Sequence, residues 1–143
     1  MEIDPFSFAD ALLGILAQRL IRTLCKQCKE AYHPDEKEFQ DIVKLYGEEW
    51  WHRTGVKYSP EITLYRPKGC SDCANSGFRG RMGIHEMLVS SEVIKEQIQR
   101  KEMVTKIHEQ AMKEGMETLM QDGLVKVLKG FTTLQQIKMV CMK

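Results

Sequence analysis

Residues 69–83 read GCSDCANSGFRGRMG, and they answer an earlier CKQC at residues 25–28 across an intervening segment of folding size. The two Cys-x-x-Cys pairs, Cys25/Cys28 and Cys70/Cys73, supply four soft thiolates. The two-residue spacing lets both sulfurs of a pair reach one tetrahedral ion at about 2.3 Å, so a zinc ion held by all four is the expected chemistry. Such a site offers no open coordination position and is structural. The glycines at 69, 77, 80 and 83 permit the tight turns that aim backbone N–H groups at sulfur.

Working outward, the upstream pair closes a segment that reads as one long amphipathic helix. Asp4 and Pro5 resemble an N-cap followed by proline in the first turn. Phe8, Ala9, Leu12, Leu13, Leu16, Leu20 and Leu24 then recur at three- and four-residue steps, which predicts a helix from Pro5 to about Thr23. Its large apolar face leads us to expect packing against something upstream. Between the pairs, Asp35 with Glu38 resembles a capping box. Phe39, Ile42, Val43 and Tyr46 line one helical face before Gly47 stops it. Trp50, Trp51, Ser59 and Pro60 mark an irregular stretch, and Ile62–Tyr65 and Arg81–Val89 read as short strands flanking the second pair. From Ser91 the pattern is helical to the end, with Gly130 as a stop and Thr133 with Gln136 opening a last short helix.

Composition narrows the function classes. The 143 residues carry 21 Lys and Arg against 20 Asp and Glu, a formal +1 that provides no global attraction to nucleic acid or acidic lipid. Four thiolates around a Zn²⁺ would turn +1 into −1. The longest apolar or glycine run, Ala11 to Ala17, is far short of the roughly 20 residues that span a bilayer. Glu2 and Asp4 stand where a signal peptide would be basic. A cytosolic chain is therefore expected, and reduced Cys-x-x-Cys pairs there serve metal or redox chemistry.

Two other readings of the cysteines remain open at this point. A stand-alone zinc ribbon binding nucleic acid would use Arg66, Lys68, Arg79 and Arg81 around the second pair, residues that could equally form a solvated face or a docking rim for an acidic partner or phosphate. A thiol oxidoreductase would need an accessible, low-pKa thiol at Cys25 or Cys70. His33 lies near the first pair and could compete as a ligand; His52, His85 and His108 are scattered, and Cys141 occupies an apolar position of the last helix. Of Trp50 and Trp51, one could be an exposed interaction residue or a staple under the loop. No G-x-x-x-x-G-K-[ST] phosphate loop follows the glycines, and no Ser/His/Asp or Cys/His arrangement is evident.

Three stretches in order, ALLGILAQRLIRTLCKQCKEAY, LYRPKGCSDCANSGFRGRMGIHEML and GMETLMQDGLVKVLKGFTTLQQI, closely resemble the C-terminal third of the type II secretion and type IV pilus assembly ATPases. The resemblance implies a mainly α fold with a small zinc-bound β element, α+β overall, as the C-terminal part of a RecA-like hexameric ATPase subunit. Residues 1–24 would be the last helix of the RecA-like core, with Ala17 to Arg22 matching it. Residues 25–89 would be the tetracysteine subdomain with a helical insert, and residues 90–143 a helical C-terminal subdomain. Cys25, Cys28, Cys70 and Cys73 match the family's four zinc ligands. It further implies homohexamer subunits and an inner-membrane platform protein as partners, no nucleic acid, and a cytoplasmic place at the inner membrane. ATP and Mg²⁺ would be cofactors only of the complete chain, because the Walker A, acidic, Walker B and His-box segments lie upstream of the residue matching Phe6. Hydrolysis is accordingly not expected from these residues alone. Met82, where the family has a small polar residue, and the terminal KMVCMK depart from the pattern, and the insert is not carried over.

Overall fold

The computed structural model describes residues 4–142, so Met1, Glu2 and Ile3, together with Lys143, lie outside the described residues. The chain folds as two compact units, each entered twice: Met1–Ala17 with His85–Thr118, and Gln18–Ile84 with Leu119–Lys143. In architecture the protein is α+β, with six helices and two two-stranded sheets among the described residues.

The helix expected from Pro5 to about Thr23 is corrected. Helix α1 covers only Pro5–Ala11, with the Asp4 carboxylate accepting from the Phe6 N–H at its cap. The chain turns extended at Leu12 and continues as strand β1, Gly14–Leu24, so Ala17 to Arg22 are strand and not helix. A spacing of four residues is even, so Leu12, Leu16, Leu20 and Leu24 satisfy the two-residue alternation of a strand as well as a helical stripe. Gly14 weakens a continuing helix, and β-branched Ile15, Ile21 and Thr23 favour the strand. Pairing decides it: β1 is hydrogen-bonded to strand β4, Phe78–Val89, and a Cβ at Gly14 would meet the Leu88 carbonyl oxygen at 2.9 Å. The sense is antiparallel, because Thr23 donates to the Arg79 carbonyl and the Cys25 N–H to that of Gly77.

In the first unit, helix α3 (Glu92–Gln99) is capped by Ser91 and packs against both α1 and helix α4 (Val104–Lys113). Ala9, Ile94, Ala111, Met112 and Met116 are buried there. In the second unit, strand β2 (Glu30–Tyr32) pairs antiparallel with β3 (Leu64–Arg66), Glu30 opposite Arg66 and Tyr32 opposite Leu64. Between these strands lies helix α2, Glu36–Tyr46, bounded by the expected Asp35 cap and Gly47 stop and burying Phe39, Ile42, Val43 and Tyr46. Helix α5 (Leu119–Leu128) packs on α2, β3 and helix α6 (Leu134–Cys141), the last capped by Thr133. One cluster joins them: Ile21, Ile42, Tyr46, Leu64, Ile84, Leu124, Val127 and Ile137. At about 25 cal/mol per Å² of apolar surface, this burial is the main stabilising contribution in the unit.

Trp51 is the staple under the loop. Its ring meets Phe39 and Tyr46 edge-on at 5.5 and 5.4 Å, and its Nε1 donates to the Val56 carbonyl. Trp50 is half-buried beneath the Arg53 guanidinium. Among the described residues, no helix is long and apolar enough to cross a membrane.

Candidate metal centre

The β2–β3 ladder explains how two distant cysteine pairs meet. Cys25 and Cys28 immediately precede β2, while Cys70 and Cys73 follow β3. Antiparallel pairing returns the chain to the same end of the ladder, and the insert with α2 occupies the other end. A second clamp comes from the Cys25 N–H, which bonds the Gly77 carbonyl at 2.9 Å and ties the first turn directly to the second.

All four Sγ atoms lie within 4.8 Å of one another. Cys25 to Cys70 and Cys28 to Cys73 are each 3.8 Å, and Cys70 to Cys73 is 3.7 Å. A tetrahedron with bonds of about 2.3 Å has edges of about 3.8 Å, so the donor set fits a four-coordinate thiophilic ion. These separations are nearly twice the roughly 2.05 Å of a disulfide. The cluster could therefore hold a metal ion.

Backbone geometry is arranged for thiolates. The Gly69 N–H donates to Cys28 Sγ at 3.3 Å, the Cys70 N–H to Cys73 Sγ at 3.3 Å and the Gly77 N–H to Cys73 Sγ at 3.2 Å. Gly69 and Gly77 have φ of +108° and +83°, a region that side chains with Cβ rarely adopt. A Cβ at Gly77 would lie 2.4 Å from that of Pro67. Burial pushes the Cys70 thiol up to about 12. Burial opposes ionisation at Cys73 as well, but the N–H groups of Cys70 and Gly77 outweigh it and lower that thiol to about 6. With Cys25 buried, neither Cys25 nor Cys70 is the accessible, low-pKa thiol that a disulfide oxidoreductase needs.

The other sequence candidates fall outside the cluster. His33 is engaged by the Ile62 carbonyl at 2.9 Å through Nδ1, and Cys141 is half-buried against the core of α6. Lys68 makes an exposed ion pair with Glu30, and Arg66 covers the Tyr32 ring at 4.1 Å. Arg79 and Arg81 stay exposed on β4. Lys29 was not marked out by the sequence. Its ammonium donates to the Gly130 carbonyl just beyond α5 and lies 4.3 Å above the Tyr65 ring, bracing the first cysteine turn against two other elements. A lysine directly after a Cys-x-x-Cys carries no spacing signal that would reveal such a contact.

A family model described as type II/IV secretion system protein matches residues 1–139. The chain is 36% identical to the type IV pilus assembly ATPase PilB of Thermus thermophilus over 96% of its length, and 38% identical to the type II secretion system ATPase E of Vibrio cholerae over 98%. It is likewise 38% identical over 96% to the type II secretion system protein E of Dickeya dadantii. It spans 14%, 25% and 24% of those relatives, respectively. With a family match along nearly its whole length, the chain belongs to the type II/IV secretion system protein family.

Proposed function

We propose that this chain is the zinc-stabilised C-terminal module of a cytosolic secretion or pilus assembly ATPase. In this reading Cys25, Cys28, Cys70 and Cys73 hold one structural Zn²⁺. The ion supplies cross-linking, and the chain's own residues supply the shape of the module. The observation that carries the reading is the closed four-sulfur geometry in a chain of this family.

The complete motor works as a homohexamer that uses ATP and Mg²⁺ to drive an inner-membrane platform protein, which assembles pilin or pseudopilin subunits. Residues 1–24, which include α1 and β1, contribute to the edge of its RecA-like core; residues 25–89 form the zinc subdomain and residues 90–143 the C-terminal subdomain. Exposed Phe6, Leu13, Ile15 and Leu16 support a role for the first segment in packing on the core. The module itself positions and connects and does not hydrolyse ATP, since it carries no phosphate loop.

The test is elemental analysis of the chain purified without chelator, with a native thiol count and an ATP turnover assay. We expect about one zinc per chain, four protected thiols and no turnover. Absence of metal with four freely reactive thiols would overturn the zinc assignment, and turnover would overturn the division of labour. Salt-dependent affinity for DNA or RNA at low ionic strength would favour the nucleic-acid ribbon instead.

A further inference from the structure

Beside the cysteine cluster, within the second unit, lies a cleft of about 780 Å³. Leu24 and Phe131 give it apolar surface, and Lys26, Lys29, Arg79 and Arg81 bring four cations to it, while no carboxylate among the described residues lines it. Lys29 is occupied by the Gly130 carbonyl and the Tyr65 ring. The other three are exposed, and among the described residues none of them pairs with an acidic side chain. Phe131, on the rim, remains 41% exposed.

We infer that this cleft is a docking site for an acidic segment of a partner protein that seats an apolar side chain beside Phe131 and its carboxylates on Arg79, Arg81 and Lys26. This goes beyond the motor reading and does not depend on it. Unpaired cations around a partly apolar cleft are complementary to carboxylates flanking an apolar anchor, and the planar forks of two arginines suit carboxylate geometry. A polyanion such as nucleic acid fits less well. The chain is nearly neutral, or −1 with the four thiolates and a divalent ion, and the cleft offers one aromatic ring instead of a stacking platform. The competing explanation is internal: the cations could offset the negative charge of a loaded four-thiolate site, since Cys25 also lines the cleft.

The experiment is fluorescence anisotropy of the metal-loaded chain with a short fluorescein-labelled peptide of glutamates around one central phenylalanine. The expected result is saturable binding at low salt. It should weaken about tenfold or more in the Arg79→Ala/Arg81→Ala variant and by several-fold in Phe131→Ala, with metal content and melting retained. Replacing the peptide's phenylalanine by glycine should reproduce the Phe131→Ala loss. Should the double variant fail to fold, Lys26→Ala, in an exposed turn position, must weaken binding instead. Unchanged peptide affinity with weakened zinc retention in the arginine variant would overturn the inference in favour of charge compensation. Equal competition by an oligothymidylate or by anionic phospholipid vesicles would overturn it by showing an unselective anion surface.

Discussion

Lys29 reaches across the fold to the carbonyl of Gly130, 2.9 Å away, and so joins the turn that carries the first cysteine pair to the chain just beyond α5. The same ammonium sits over the Tyr65 ring of β3. One half-buried side chain thereby links the metal centre to the core packed beneath it.

Lys29→Met keeps the aliphatic stem and removes the charge. The change should destabilise the protein by about 1 to 2 kcal/mol through the lost charged hydrogen bond and ring contact. Chemical denaturation of both proteins would measure the difference, and metal content should be unchanged. A variant as stable as the parent would show that water replaces the lysine without loss.

Cys70→Ser removes a sulfur that lies 3.8 Å from Cys25 and 3.7 Å from Cys73. Zinc binding contributes about 10 to 16 kcal/mol in small zinc peptides, comparable with a domain's whole stability of about 5 to 15 kcal/mol. The variant should lose its metal and the fold of the segment from Leu24 to Cys73, seen as collapsed amide dispersion and rapid proteolysis there. Full zinc content with unchanged melting would refute the assignment of these ligands.

Gly77→Ala should cost about 3 kcal/mol, combining a positive φ with a Cβ placed 2.4 Å from that of Pro67, a rigid ring that cannot turn aside. The displaced Gly77 N–H also loses its aim at Cys73 Sγ, so chelator should strip the metal faster than from the parent. Competition with a chromogenic chelator reads this directly.

Alkaline stability should depend on Tyr32. Burial, then the hydrogen bond and charge of Glu38, hold its phenol above the ordinary value of about 10. The unfolded chain therefore ionises first as pH rises. The contribution of this group is complete below about pH 10 and declines above it. Denaturation midpoints measured below and above that pH should fall more steeply for the parent than for Tyr32→Phe; parallel declines would count against the Glu38 contact.

Local signals made part of this structure legible. Helix α2 was readable to its ends because Asp35, the stripe from Phe39 to Tyr46 and Gly47 all act within a few residues of one another. The sulfur cluster was readable because ligand spacing in each pair is a local property. Residues 12–24 were misread because four-residue spacing serves helix and strand alike, and the partner that decides between them, β4, is remote in sequence. Glu38 was expected to complete a capping box; its carboxylate instead accepts from the Tyr32 hydroxyl, a choice made by the ladder that brings them together. The cationic cleft draws on three separated segments, around residues 26, 80 and 131, so no window of sequence contains it.

Because β2 and β3 fasten the base of the insert, its far end is free to drift in length over generations. Loop-closure cost rises only slowly with length, by about 0.6 kcal/mol per doubling, so the largely exposed loop at residues 57–61, beyond α2 and Trp51, can be lengthened while the sulfurs keep their spacing. The ladder makes that segment a place where evolution, or a protein engineer, can graft a new peptide on an unaltered frame.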